Sequence, residues 1–521
     1  MKKTKLLSAF LAAVLAVSSA MLPASAEEEA YRPGDLNGDS LVTVSDAILL
    51  ARINAEDISV NISSEGLAAA DVNGDDVKDA DDVNDILRYL AGLIPSLGKA
   101  EGTVGHVYYS NHLMGDYEPD NTLVGNAAEG FREAQMNFSA NLLKETANMA
   151  GTENNLLVSP YSVSMALGMT ANGAKENTLA EMEQVLGGNL HMNDLNSSYL
   201  GIQQTPETTD IDGNPLSTLD IANAIWYHTV PERIVVPEGF LKTAADYFHA
   251  DAWGFDRFNL ETINDINYWV YENTHKMINR IIPDDLAGSD VVMVLVNALA
   301  FESEWEKTYT KHQVRPADFT LENGDKFQAD LMYSGEDFYL ETENAAGFKK
   351  YYKDTNYSFI GILPNEGTTV ADYLNNLDGK ELTKLMSSST SEYDLTVAIP
   401  RYTYDFSAEL NEPLQNMGIQ DAFDPEKADF TGLDISGTLE QTYIGHVLHK
   451  THIEVDDKGT KAAAATAVIM EKATACAPQE SRTVILDRPF VYMIYDEQNQ
   501  LPIFIGTVMQ PDAAKEETPA E

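Results

Sequence analysis

Asp35, Asn37, Asp39 and Asp46 occupy positions 1, 3, 5 and 12 of one stretch, and Asp71, Asn73, Asp75 and Asp82 repeat the pattern 36 residues later. Oxygen donors at that spacing wrap a hard cation, so the chemistry is coordination rather than catalysis. Position 7 of each copy, Leu41 and Val77, adds a backbone carbonyl. Gly38 and Gly74 stand between the third and fifth positions rather than at the sixth, and Asp replaces the usual bidentate Glu at position 12. Neither copy is therefore a standard EF-hand loop. Two Ca2+ ions, one per copy, are the expected cofactors. Clustered carboxylates repel each other until a cation binds, and residues 31–95 hold few aromatics for a core, so metal binding should be coupled to folding.

Patterns for covalent chemistry are missing. Ser159 has no G-x-S-x-G setting, and the chain contains neither H-E-x-x-H nor a Walker pattern. Carboxylate pairs abound among 82 acidic residues, but abundance alone identifies no catalytic pair. The other unusual stretch is mechanical in character: Gly459 to Ala467 reads GTKAAAATA, small residues ahead of the larger Val468, Ile469 and Met470. By composition it is an Ala-rich helix or a flexible linker.

These residues need elements to hold them. Each acidic loop leads into an amphipathic helix, marked by Ile48, Leu49, Arg52 and Ile53 in the first copy and Val83, Ile86, Leu87 and Leu90 in the second. Residues 96–127 read as a linker punctuated by Gly and Pro, although Tyr108, Tyr109 and Tyr117 give it an apolar character that a neighbouring surface could cover. From 128 to 511 helices and strands alternate irregularly, without the rhythm of a doubly wound parallel sheet. Phe131, Phe138 and Leu142 open a helix, Ser162 to Ala171 reads as a buried helix, and 291–299, 359–363, 394–400 and 490–495 read as strands. Residues 512–521 form an acidic tail expected to be disordered.

Residues 1–26 read as an export signal: Lys2, Lys3 and Lys5, a short apolar run from Leu6 to Val17, then Ala24, Ser25 and Ala26 for cleavage. The mature protein is expected to be secreted and soluble, with no membrane insertion. A net charge of −48 argues against nucleic-acid partners and anionic membranes. Cys476 is the one cysteine, so no intramolecular disulfide can form.

Two resemblances sharpen this reading. The paired loop–helix repeats resemble a dockerin, which implies a cohesin module on a scaffolding protein as partner. Positions ten and eleven, Val44 and Ser45 in one copy and Ala80 and Asp81 in the other, help choose that partner in dockerins; the copies differ here. Residues 128–511 resemble a serpin over essentially the whole region, carried by NLLVSPYS at 155–162, TLAEM at 178–182, LVNALAF at 295–301 and Trp305–Glu306. IPRY at 399–402, MGI at 417–419, ADF at 428–430, His449–Lys450, VDDKGT at 455–460, RPF at 488–490 and FIG at 504–506 continue the match in order. The implied fold class is α+β: helices around a large mixed central sheet with an exposed reactive loop, plus a small all-α calcium-binding dockerin domain.

The serpin resemblance also implies roles for particular residues. The run from Gly459 becomes the hinge of a reactive loop that inserts into the main sheet after cleavage. An inserting strand turns every second side chain inward. Thr460, Ala462, Ala464 and Thr466 would face in, with Ala463 and Ala465 between them, and Lys461 would face solvent. Counting fourteen residues on from Gly459 places the reactive bond at Ala473–Thr474, which suits elastase- or subtilisin-like pockets. One residue less gives Lys472–Ala473, which suits trypsin-like ones. Ser159, Ser162, Asn297 and His449 fall on a hydrogen-bonded shutter beneath the central strands, and Trp305, Arg401 and Asp457 on the breach at the top of the sheet. The expected function is a monomeric, suicide-type serine protease inhibitor, not an enzyme, held in a cell-surface or cellulosome-type complex by its dockerin. A non-inhibitory serpin, a cysteine-protease inhibitor and a dockerin-borne polysaccharide hydrolase are the alternatives.

Overall fold

The computed structural model describes residues 33–38, 41–54, 62–63, 66–67, 69–72, 78, 80–90, 97, 106, 108–113, 119–205, 217–230, 234–278, 280–353, 356–434, 442–460 and 480–512. The chain divides into two units at Gly105/His106. The small unit holds α1 (Val44–Asn54) and α2 (Ala80–Leu90). Leu36, Ala47, Leu50, Ala70, Val72 and Ile86 form its core. The buried stripe of α1 differs from expectation: Asp46, Ala47 and Leu50 face in, while Ile48 is exposed. Asp46 must turn inward to bind the loop before it, and that rotation carries Ile48 out.

The large unit opens with β1 (Asn111–His112), α3 (Phe131–Ala150), β2 (Leu156–Val158), α4 (Pro160–Ala171), α5 (Glu176–Gly187) and α6 (Met192–Gln203). Next come β3 (Ser217–His228), α7 (Glu238–Phe248), β4 (Asp251–Phe255), α8 (Leu260–Asn273) and β5 (Met293–Glu304). The middle contributes β6 (Val314–Thr320), β7 (Lys326–Glu336), β8 (Phe338–Glu341), β9 (Ala345–Tyr351), β10 (Tyr357–Pro364), α9 (Val370–Asn375) and α10 (Gly379–Ser387). It closes with β11 (Tyr393–Pro400), β12 (Tyr402–Glu409), α11 (Asn411–Met417), β13 (Leu448–Val455), β14 (Gly459–Thr460), β15 (Glu480–Ile485), β16 (Phe490–Asp496) and β17 (Leu501–Val508). Among the described residues no helix is long and apolar enough to cross a membrane.

Local signals start several of these helices. Ser159 caps α4 by accepting from the Ser162 amide, with Pro160 in the first turn; Asn259, Thr369 and Asp378 cap α8, α9 and α10 in the same way. Strand patterns follow the sheets. β13 alternates half-buried and buried positions because one face lies on the core, whereas β16 and β17 are buried throughout.

Three sheets result: seven strands in the order β1-β4-β3-β5-β14-β13-β12, six in the order β2-β17-β16-β10-β9-β8, and four in the order β15-β11-β7-β6. The two larger sheets meet at Tyr404, whose hydroxyl lies 2.7 Å from that of Tyr492 and donates to the Leu156 carbonyl.

Residues 106–127 do not behave as a linker where they are described. β1 pairs antiparallel with β4, adding an edge strand to the seven-stranded sheet. The Tyr108 ring lies 4.4 Å from that of Trp253. Asp265, fully buried on α8, accepts from the Ser110 amide and bonds His106 Nε2, both at 2.7 Å. Further on, Gly125 runs so close to Gly201 that a Cβ there would lie 2.1 Å from the Gly201 nitrogen. Pairing of β1 with β4, the half-buried Tyr108 ring and the buried Asp265 carboxylate outweigh the punctuation that suggested a spacer, while Tyr109 stays exposed.

Candidate functional site

The central feature of the seven-stranded sheet is the place where β14 enters it. Gly459 pairs with Glu304 and Thr460 with Ser303 on β5, while Thr460 pairs with Val455 on β13. No ladder among the described residues joins β5 directly to β13. The two-residue strand thus wedges between them at one end of a slot. A Cβ on Gly459 would lie 2.1 Å from the Ser303 carbonyl oxygen, so only glycine permits this approach. Thr460 is buried. Ala462, Ala463, Ala464, Ala465, Thr466, Lys472, Ala473, Thr474 and Cys476 lie outside the described residues.

Around this entry the expected breach residues come together. Arg401 Nη2 lies 2.5 Å from Asp457 Oδ1, and its Nη1 lies 3.6 Å from Asp330 on β7. Trp305 is buried; its amide donates to the Lys458 carbonyl and its indole N–H to the Asp456 carbonyl. Beneath it lies a buried ion pair that no sequence pattern announced. Lys350 Nζ is 2.7 Å from Glu336 Oε1, donates to the Lys307 carbonyl, and sits 4.5 Å from the centre of the Tyr309 ring and 5.3 Å from that of Trp305. Burial pulls the Lys350 ammonium below the ordinary lysine range, and Glu336 opposes that shift. Two aromatic faces and a carboxylate are what a desolvated cation requires.

Eight residues down β5 from Trp305 is the shutter. Ser162 Oγ donates to Asn297 Oδ1, and Asn297 Nδ2 donates to Asn223 Oδ1 at 2.7 Å. Asn223 passes the chain on to the Phe248 carbonyl at 2.6 Å. On the other side of the slot the Ser159 amide donates to His449 Nε2 at 3.1 Å, and Ser159 Oγ donates to the Ile503 carbonyl. Ser159 Oγ accepts from the Ser162 amide, linking the halves. Among the described residues no hydrogen bond joins Asn297 to His449. The four expected residues therefore gather, but in two branches, one on β5 and one on β13. Burial holds the His449 imidazole at about 4, so it is neutral and Nε2 can accept. Asn223 was missed; its one signal is a polar residue in the apolar run of β3, and register sets it opposite Asn297.

In the small unit, Asp35 and Asp46 are buried carboxylates on a loop turned by Gly38 at φ +74°. Asp46 Oδ1 accepts from the Leu36 and Asn37 amides, and Oδ2 from the Thr43 amide and hydroxyl. Asp82 repeats the first of these with the Val72 amide at 2.8 Å. The twelfth-position carboxylates thus fold their own loops. Asn37, Leu41 and Asp71 are described too, whereas Asp39, Asn73, Asp75 and Val77 lie outside the described residues. Among the described residues no three acidic, His or Cys groups converge as a metal site. Asp35 and Asp46 nevertheless supply the buried hard-oxygen donors that suit Ca2+.

This slot-bearing scaffold has known relatives. The family model for serpin (serine protease inhibitor) matches residues 133–511. The chain is 31% identical over 368 residues to a serpin-like protein of Methanosarcina acetivorans, covering 70% of this chain and 83% of that one. It is 28% identical over 398 residues to the leukocyte elastase inhibitor of Sus scrofa, covering 74% and 100%. The native structure of the thermophilic serpin tengpin aligns with a TM-score of 0.69 at 37% identity, across 78% of this chain and 100% of that one. The protein belongs to the serpin family, whose members are protease inhibitors rather than enzymes.

Proposed function

We propose that this protein is a suicide-type inhibitor of serine proteases. The observation that carries the reading is β14: the hinge already stands as a strand between β5 and β13, and the small residues that follow it are of a size to continue between them. In the mechanism, the target's serine Oγ attacks the Ala473 carbonyl, or that of Lys472 in the other register. An ester forms, the peptide bond to Thr474 (or Ala473) breaks, and the protease's own histidine delivers the proton to the leaving amine. The freed loop then inserts along the slot from Thr460, carries the acylated protease with it and deforms the oxyanion hole before water can release the ester. The name of the porcine relative agrees with an elastase-like target for Ala473.

The same reading makes the protein secreted by way of residues 1–26 and docks it through a Ca2+-loaded small unit onto a cohesin module, where it protects an extracellular complex. Incubating mature protein with elastase, subtilisin and trypsin tests the inhibitory part. The expected result is a covalent band on a denaturing gel and a released peptide beginning at Thr474 or Ala473. Cleavage without any covalent band across a wider protease panel would make this a non-inhibitory serpin.

A further inference from the structure

Thr460, the residue from which insertion would start, is held by a side chain with no sequence signature. Its Oγ1 lies 2.6 Å from the Tyr352 hydroxyl, and both groups are buried. Tyr352 has little freedom. Its ring stacks on Trp305 at 4.6 Å and 13° and meets Phe301 edge-on. Its backbone bridges to Trp305, and the neighbouring Lys353 amide donates to the Glu304 carbonyl while Glu306 donates to Tyr351. Trp305 is itself seated on the Lys350 ammonium. Burial raises the Tyr352 hydroxyl far above the ordinary tyrosine range, so it stays protonated.

We propose that Tyr352 is a positioning residue: it holds Thr460 in the sheet and so sets the starting point of loop insertion. The contact stands on the geometry alone, and its kinetic consequence rests on the inhibitory reading above. When Thr460 withdraws, the stacked ring cannot follow, and the hydroxyl is left buried without its partner. An unpaired buried hydroxyl is disfavoured, so Tyr352 biases the hinge toward the inserted arrangement. Insertion then propagates from a residue already in place instead of waiting for that residue to enter. Gly459 completes the device by letting the chain pass close to Ser303.

The test uses the full chain with Tyr352→Phe, Thr460→Val and the double variant. Tyr352→Phe keeps the ring, its stack and the fold. Hydrogen exchange of the 455–460 segment should rise roughly fivefold in each single variant, the effect of one lost buried hydrogen bond. The double variant should exchange no faster than the faster single, because the two substitutions remove one shared contact. The ratio of cleaved to covalently trapped inhibitor should rise by a similar factor, with the rate of protease attack unchanged. Wild-type exchange in Tyr352→Phe, or additive effects in the double variant, would overturn the assignment. A wild type that traps no protease strikes the inhibitory reading instead, and the exchange measurement still decides the contact.

Discussion

The shutter and the breach lie along the same two strands, yet they satisfy buried polarity in different ways. At the shutter every group is neutral: hydroxyls, carboxamides and an imidazole that burial keeps unprotonated, each paired with another or with a backbone carbonyl. At the breach the contacts are charged, and the Arg401–Asp457 pair is partly open to water, its side chains 22% and 33% exposed. A neutral buried network fails when one partner goes or a proton arrives, because nothing replaces what is lost. A half-exposed ion pair yields instead to salt. The slot thus carries a wholly neutral network at the shutter and, at the end where β14 stands, one buried ion pair, Lys350–Glu336, beside one open to water, Arg401–Asp457.

The largest effect that would expose this contrast is expected from Asn297→Ala. It strands the Ser162 hydroxyl and the Asn223 carboxamide in the interior and should remove about 4 kcal/mol of native stability in a denaturant titration. A loss below about 1 kcal/mol would mean that the β5 branch is not a tight network.

Acid should come next. The folded His449 titrates at about 4 against an ordinary 6.5, so above 6.5 the imidazole is neutral in both states and the full stability is present. As pH falls from 6.5 toward 4 the unfolded chain takes up the proton first, and stability is lost, on the order of 3 kcal/mol by pH 4. His449→Asn should flatten this part of the pH–stability profile; an unchanged slope would assign the loss to carboxylates.

The smallest effect belongs to Arg401→Met, about 0.5–1 kcal/mol at low ionic strength and nothing measurable in molar salt. A penalty that survives high salt would put the breach in the same class as the shutter.

Much of the site was legible through the serpin resemblance, whose short motifs carry its residues. Ser159 and Ser162 stand in NLLVSPYS, Asn297 in LVNALAF and His449 beside Lys450, and Asn297 also stands out as a polar residue inside an apolar run. Asn223 carries the same signal more weakly. Tyr352, Lys350 and Glu336 carry none, since a tyrosine or lysine at a strand end is ordinary until a second sheet covers it. The Gly/Pro-rich stretch before residue 128 misled for the opposite reason: its local signals were those of a spacer, and the pairing of β1 with β4, the Trp253 ring and the Asp265 carboxyl made 106–113 part of the larger unit.

By itself the amino-acid sequence determined the family, and through it the residues expected at shutter, breach and hinge, and it displayed the doubled acidic loop. All are contained in short spans where residue type and spacing are the physical requirement. The tertiary structure alone decided who meets whom. The β3–β5 register sets Asn223 opposite Asn297, the crossing of β5 with the end of β9 lays Tyr352 against Trp305, and the entry of β14 brings Thr460 beneath that hydroxyl. Such pairs are separated by up to 108 residues and exist only once the sheets have closed, because a hydrogen bond depends on a few tenths of an ångström that no local pattern encodes.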